Sequence, residues 1–569
     1  MSRKLKLCSR LRLRLLTASN NKCLFGGRGV ILPAIANMKK ILSSFLAFSL
    51  VFSCTPTVEE YKEINATVDY IEVCGQKINP GKRAVDVLLD CPDITVFFSD
   101  VVNLSRLDED MVRINGYVGK LSFAAGPTPE SVIIKPSVAF NPCYRYILTL
   151  EKGSNLGLNL FDKYTFNLIT EYDKSDKFER IPDEDLLTLV QKQTFKFFWD
   201  YAHPVSGLAR ERLGSGNTVT TSGSGFGIGA IPVAVERGFV TREEASARMR
   251  TIIDFLSTKA DRFHGAFPHW LDGETGKVIP FSQKDNGADL VETAFLIQGL
   301  LTARAYFNRA SEADIRSGID ALWHAVEWDW FTRGGEKALY WHWSPNYGWD
   351  MNMRISGWNE GLIVYVLAAS SPTHTVSADV YREGWARGGS MTPSVNGPLF
   401  FAHYSFLGLD PRGLGDAYCD DYFEHNTAHA RYNYDHCVRN PGRHAGYSAS
   451  SWGLTASDIP GGYTASSPSN DKGVIAPTAA LASFPYVPDE SMAALHTFYY
   501  IYGDKLWGEY GFKDAFSLDA AWFASSYIAI DQGPIVVMIE NYRSGLCWEL
   551  FMSNQEVLSG LAKLGFSVK

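Results

Sequence analysis

The chain reads as a mainly α protein: an (α/α)6 barrel, a toroid of six helical hairpins, preceded by a small all-β sandwich. Three observations predict this. Residues 67–172 hold short runs rich in β-branched and aromatic residues, such as "TVDYIEV", "DITVFFS", "SVIIKPS" and "YRYILTL". Gly, Pro, Asn or Asp separates them at intervals of roughly 10–15 residues, the spacing of a sandwich of about seven strands. Residues 182–569 instead carry about a dozen helical patterns and no comparable β content. No repeat period runs through them, which argues against a solenoid and for a closed ring.

The first 53 residues stand apart from the fold. Residues 1–37 hold eight Lys or Arg and no acid, and read as an upstream start-site extension. At Met38 a better start follows: "MKK", the apolar run "ILSSFLAFSLVFS" and Cys54. This resembles a bacterial lipoprotein signal (38–53) with Cys54 as the lipidated residue, so an exported protein anchored by lipid to the outer membrane is expected. The apolar run is too short to span a bilayer as a helix, which leaves the lipid as the membrane attachment. Residues 54–66 form a tether. The progression of strands over 67–172 resembles the immunoglobulin-like modules of bacterial surface lipoproteins, with a spacer role expected. A charged linker, "EYDKSDKFERIPDED", leads into the helical domain, 182–569, where Pro182 followed by acids opens a helix well.

The helical patterns lie near 183–202, 224–237, 241–259, 288–308, 311–330, 357–370, 378–387, 397–407, 415–431, 475–502, 516–530 and 533–564. In a toroid the inner helices are apolar nearly all round and their ends carry the pocket. Removing residues 1–53 takes away ten basic residues and no acid, for a net charge of −18. That argues against a nucleic-acid partner. Nine cysteines include none at zinc-ligand spacing; Cys419 and Cys437 can pair only if the fold brings them together.

Aromatic residues make up 13% of the chain, with 14 Trp, many beside polar residues. Four stretches combine rings with acids and amides. In "KDNGADLVETAF" (284–295), Asp285, Asp289 and Glu292 fall at i, i+4 and i+7, one stripe of an otherwise apolar helix. Such a stripe is either a solvated face or the wall of a wet pocket. The loop before it offers His269 and Trp270. "WHWSPNYGWDMNMRISGWNEGL" (341–362) holds Trp343, Trp349, Trp358, Asn359 and Glu360; "SSWGLTASDIPGGYTA" (450–465) holds Trp452 and Asp458. In 531–548, Glu540 ends an apolar run and either pairs with Arg543 or joins the pocket. Rings stack on the C–H faces of sugars while acids and amides bind hydroxyls. Glycoside hydrolysis needs two carboxyl groups across the scissile bond, one kept protonated by an apolar setting.

Other chemistries fit worse. "TSGSGFGIGA" (221–230) lacks GK[ST] and a βαβ setting, and reads as a tight entry to the second helix. His425 and His429 are spaced i, i+4 without the Glu of a zinc-protease motif. No GxSxG elbow occurs. Neither a metal nor a cofactor is expected.

"TSGSGFGIGAIPVAVERGF", "ADRFHGAFPHWLDGETGKVIPFSQKDNGADLVETAFLIQGLLTAR", "GWNEGLIVYVLAASSPTH", "WGLTASD" and "APTAALASFPYVPDESMAAL" together resemble the bacterial glucoamylase-like family that includes β-1,2-glucanases, glycoside hydrolase family 144. The resemblance covers essentially all of 182–569. It implies the (α/α)6 barrel, hydrolysis of β-1,2-linked glucan with inversion, and no metal. By motif it places Asp285, Asp289, Glu292 and Glu360 in the pocket, with Glu360 as general acid. Asp289 leads as base, acting on water directly or through a substrate hydroxyl, with Asp285, Asp458 and Glu540 behind it. His269, Trp270, Trp343, Trp349, Trp358, Asn359, Trp452, Asp458 and Glu540 are expected to hold the sugar. One departure is Asn286, where the family pattern has an acid. The alternatives are a non-catalytic glycan-binding surface lipoprotein and an α-glucan-cleaving glucoamylase.

Overall fold

A computed structural model of the chain describes residues 64–568, apart from 91, 108, 155–157 and 389–392. The signal at 38–53, Cys54 and most of the tether lie outside the described residues. Lys62–Lys569 forms one compact unit.

The N-terminal part is two β-sheets on one core. The first has five strands in the order Gln76–Ile78, Val68–Val73, Ile94–Phe98, Ser131–Pro136, Leu121–Ala125; the second has four, Arg83–Val87, Tyr164–Thr170, Arg145–Leu150, Val112–Asn115. Burial alternates along Ile94–Phe98, as the period of two requires when one face is covered, and along Val68–Val73 it resumes at Ile71 and Val73 after a register shift between Val68 and Tyr70. Ile71, Val96 and Ile134 of the first sheet share an apolar cluster with Leu148, Phe166 and Leu168 of the second. The last tether residues, Ile64–Ala66, are themselves a strand, parallel to Leu158–Leu160. Arg83 crosses to the helical part, bonding Asp519 at 2.9 Å and the carbonyls of Gly442 and Arg443. Tyr172 donates to Asp504 at 2.6 Å.

From Asp183 on, outer and inner helical segments alternate. α1 (Asp183–Trp199) is outer and α2 (Thr221–Glu236) inner; α3 (Arg242–Thr258) and α4 (Leu290–Tyr306) follow likewise, then α5 (Ala313–His324) and α6 (Leu362–Ser370). α7 (Ala378–Val380), continued by a π turn at Tyr381–Trp385, is outer, and two 3-10 turns, Leu399–Ala402 and Ser405–Leu407, are inner. α8 (Tyr422–Arg439) is outer, α9 (Pro477–Leu481) inner, α10 (Pro488–His496) outer with α11 (Gly503–Leu506) after it, and α12 (Ala529–Arg543) is inner. α13 (Leu546–Met552) and α14 (Gln555–Leu564) pack against α4 and α6. Nearly every residue of α2, α4, α6 and α9 is buried. α12 packs on both α9 and α2, and α2 on α4, which closes the ring.

The glycine-rich stretch 221–230 is not an entry to the second helix but its first turns. A Cβ on Gly225 would meet Phe295 O at 2.3 Å, and one on Gly299 would meet Gly225 O at 2.0 Å. The glycines are there so that α2 and α4 can cross backbone to backbone. The helix expected at 516–530 is absent: Phe516–Ser517 pairs with Trp522–Phe523 around a turn whose Ala521 is left-handed (φ 48°). The pattern 475–502 is broken because Pro477 and Pro488 each start a new helix. Cys419 and Cys437 are separate buried thiols. Among the described residues no helix is long and apolar enough to cross a membrane.

Candidate active site

A cavity of about 520 Å³ opens at the ends of the inner segments, lined among others by Glu211, Arg212, Ser222, His269, Trp270, Glu292, Trp341, Glu360, Tyr404 and Tyr463. Its acidic wall is built differently from the stripe that the sequence predicts. Gly287 lies so close to Trp343 O (a Cβ would come within 2.3 Å) that Ala288–Asp289 pairs as a strand with His342–Trp343. α4 therefore starts only at Leu290, and Asp289 is its N-cap. Asp289 Oδ1 accepts from Val291 N and Glu292 N, both at 3.0 Å, a cap contributing about 1 kcal/mol. Asp285 sits in the turn before, outside the helix. The three acids still meet, through the turn, the strand pair and the cap.

Two histidines hold them together. Asp289 Oδ2 faces His269 Nδ1 at 3.2 Å and His342 Nε2 at 3.4 Å; the same His342 nitrogen is 3.3 Å from Asp285 Oδ2. Glu292 Oε1 lies 3.8 Å from His269 Nε2, and its Oε2 accepts from Ser222 N at 2.9 Å. Burial alone would lower both imidazole pKa values, but the carboxylates overcome it and raise His269 to about 9 and His342 to about 10. Burial pushes Asp289 up, and the hydrogen bond from His269 and the charge of His342 outweigh it, holding the carboxyl well below its ordinary range. Glu292 is raised by burial, against the pull of His269. Single ligand atoms of His269, Asp285 and Asp289 lie within 4.8 Å of one another, close enough to hold a cation. The two carboxylates face His269 and His342 at 3.2–3.4 Å.

Glu360 stands apart from this wall. It ends a turn just before α6, fixed by Asn359 Oδ1 accepting from Gly361 N at 2.8 Å and by Ser405 Oγ donating to the Glu360 carbonyl. Its side chain lines the cavity, and burial, reinforced by the charges of Asp289 and Glu292, raises its carboxyl to about 7.

Of the residues expected to hold sugar, His269 and Trp270 line the cavity, with Phe281 at its lip (ring centroids 4.2 and 4.9 Å away). Asp458 lies behind the wall, its carboxylate held by Arg212 Nη1 at 3.0 Å and Ser526 Oγ at 2.5 Å. Others move away. Trp343 and Trp349 join Trp330 in an aromatic cluster outside the cavity lining, with ring centroids 6.4 and 6.3 Å from it. Trp358 packs on Tyr422 and His425, and Asn359 serves the turn. Trp452 is fully buried, donating to Glu490 O, because its ring fills the core beside α8. Glu540 is no base: Arg237 grips it with two hydrogen bonds of 2.8 Å, and Arg543 instead reaches Gln191 and Glu184. Asp289, 1% exposed behind His269, does not reach the cavity itself, whereas Glu292 does. Asn286 bonds Asn346 and Ser344, steadying a loop at the periphery. Glu211, Arg212 and Tyr404 were not singled out by sequence as site residues, whereas Tyr463 belongs to the 450–465 stretch that was.

The "Putative glucoamylase" family model matches residues 352–555. The chain is 46% identical over 419 residues to an exo β-1,2-glucooligosaccharide sophorohydrolase (non-reducing end) of Parabacteroides distasonis, covering 67% of this chain and 58% of that one. It thus spans somewhat over half the length of this curated relative. An endo-β-1,2-glucanase of Chitinophaga pinensis, solved with sophorotriose and glucose, is 51% identical with a TM-score of 0.67, over 68% of this chain and 99% of that one. A β-1,2-glucanase structure from Parabacteroides distasonis is 38% identical with a TM-score of 0.66, over 88% of this chain and 73% of that one. The chain belongs to the glucoamylase-like family that includes the β-1,2-glucanases, glycoside hydrolase family 144.

Proposed function

We propose that this protein is a glycoside hydrolase that cleaves β-1,2-linked glucan by acid–base catalysis. The observation that carries the reading is Glu360: a carboxyl raised to about 7, facing a cavity whose other lining acids, Glu211 and Glu292, lie against Arg212 and the His269 imidazolium. A group still protonated near neutrality can give its proton to the departing glycosidic oxygen. Glu292 is the carboxylate of the acidic wall that reaches the cavity, and it takes the role of base, drawing the proton from water directly or through a sugar hydroxyl. Asp289 and His269 orient it. This moves the base from Asp289, favoured by sequence, to its neighbour three residues on. The course is inversion, as family membership supports, and is read from the anomer first released.

Linear β-1,2-glucan is the test substrate. Release of reducing ends by the native protein, falling roughly 1,000-fold in Glu360→Gln, supports the reading; binding without turnover, or faster turnover of starch, would overturn it. The pH profile of kcat/KM should be bell-shaped. Its alkaline limb falls through about 7 as Glu360 loses its proton, and its acid limb reports Glu292. A time course of products separates release of sophorose from random internal cleavage.

We also infer that Cys54 carries a lipid and that the β module is an immunoglobulin-like spacer between the outer membrane and the hydrolase. The "MKK…VFSC" signal and the two sheets on one core support this. Labelled palmitate should enter the expressed protein and be lost in Cys54→Ser; labelling that persists would remove Cys54 from that role.

A further inference from the structure

Two acids outside the chemistry above lie behind the cavity wall: Asp514, in the loop after the Gly511–Phe512 strand, and Asp531, in the first turn of α12. Each is 1% exposed, and their carboxyl groups are within hydrogen-bonding reach of each other. Asp514 Oδ2 accepts from Asp458 N at 2.6 Å. No N–H or O–H of the described residues reaches Asp514 Oδ1 or either carboxyl oxygen of Asp531. The ionisable groups that face the pair are Asp458, Arg212, Tyr404 and Tyr463. Only Arg212 is cationic, and it is already committed to Glu211 and Asp458. Two buried carboxylates set face to face without a donor between them cannot both stay ionised.

We propose that Asp514 and Asp531 share one proton, with Asp531 donating an O–H···O hydrogen bond to Asp514, and that this pair positions the cavity wall formed by Arg212, Asp458 and Tyr463. The links run in sequence. Asp531 anchors the start of α12, where Ile528 and Ile530 line the cavity. Asp514 fixes the backbone of Asp458, which pairs with Tyr463 across the hairpin Ala456–Ile459/Gly462–Ala465. The Asp458 carboxylate then aims Arg212. The proton is taken from solvent on folding, and its retention agrees with burial holding Asp514 at about 7 and Asp531 well above the usual carboxylate range.

Asp531→Asn keeps a donor facing Asp514, and Asp531→Ala removes it. With the hydrolase reading above, Asp531→Ala should raise KM for β-1,2-glucan about tenfold with kcat less affected, and Asp531→Asn should restore KM and kcat to within about threefold. A second readout needs no substrate, so it stands even if the glucan assignment fails. A carboxyl that stays protonated in the fold but ionises in the unfolded chain above about pH 4 makes stability fall as pH rises. The Tm of the native protein should therefore decline between pH 5 and 8 more steeply than that of Asp531→Asn. Asn and Ala variants equally impaired in kcat would place Asp531 in the chemistry instead. A Tm profile of Asp531→Asn that parallels the native one would show that no proton is shared. Either result overturns the proposal.

Discussion

Two groups of histidines in the helical ring are treated in opposite ways. His269 and His342 stand among Asp285, Asp289 and Glu292 at 3.2–3.8 Å and are raised to about 9 and 10. His403, His425 and His429 stand among neutral groups: Ser483 Oγ at 3.0 Å from His403, the Gly397 carbonyl at 2.9 Å from His429, and the ring of Trp358 against His425. Burial lowers these three to about 3, 4 and 4. The same side chain becomes a permanent cation in one region and a neutral packing group in the other. Magnitudes decide it. An ion pair at about 3.3 Å contributes roughly 5 kcal/mol even at an effective dielectric of about 20, comparable to the cost of burying the charge. Without a carboxylate, burial goes unopposed. The difference teaches that a buried imidazole takes its charge from the carboxylates around it: in the acidic wall two cations face three acids, and His269 and His342 hold the Asp289 carboxyl well below its ordinary range.

Breaking the charged set should have the larger effect. Asp289→Asn preserves the N-cap, since Asn caps a helix as well as Asp, and removes the charge that both histidines face. His269 and His342 should then titrate well below about 9 and 10, which imidazole resonances in an NMR pH series measure directly. Because His269 lines the cavity beside Glu292, kcat/KM on β-1,2-glucan should fall roughly 10–100-fold. The sign for stability follows from the raised values. That contribution is fully present below the unfolded value near 6.5 and is lost as pH rises toward 9–10. Asp289→Asn should therefore lose most Tm relative to the native protein at or below neutrality and little above pH 10. Histidines that still titrate near 9 and 10 in the variant would mean that Asp285 and Glu292 hold them unaided.

The same contrast explains what was legible in the sequence. The ring was legible because buried inner helices are apolar nearly all round, and α2, α4 and α6 are so in sequence. Glu360 was legible because an acid between Trp358 and Gly361 has few structural uses. Asp285, Asp289 and Glu292 were placed at one site, but by a helical stripe that does not exist. The cross-strand pairing of Asp289 with His342 stops the helix at Leu290, a contact between segments some 50 residues apart. Trp452 and Glu540 show the converse error: a ring beside Ser and Gly can be core, and an acid can be claimed by an arginine from another helix, as Arg237 claims Glu540. The Asp514–Asp531 pair left no local signal, since the two acids are 17 residues apart and meet only through the fold.

The neutral set offers the smaller and opposite effect. His425 is the cleanest place to test it, because its buried Nε2 has no hydrogen-bond partner and its ring meets Trp358 edge-on at 4.6 Å. His425→Phe keeps the ring contact and removes the titrating nitrogen. A histidine lowered to about 4 in the fold binds a proton more readily when unfolded. Its contribution is therefore present above the unfolded value near 6.5 and is lost as pH falls from there toward 4. With a discount for its partial exposure, the native protein should lose on the order of 1–2 kcal/mol to this group between pH 6.5 and 5, and His425→Phe should be spared that loss. The difference in unfolding free energy between the two proteins, measured by urea titration at pH 7.5 and pH 5, should shift in favour of the variant at the lower pH. A shift of the opposite sign would place a carboxylate beside His425, and the two regions would no longer differ in kind.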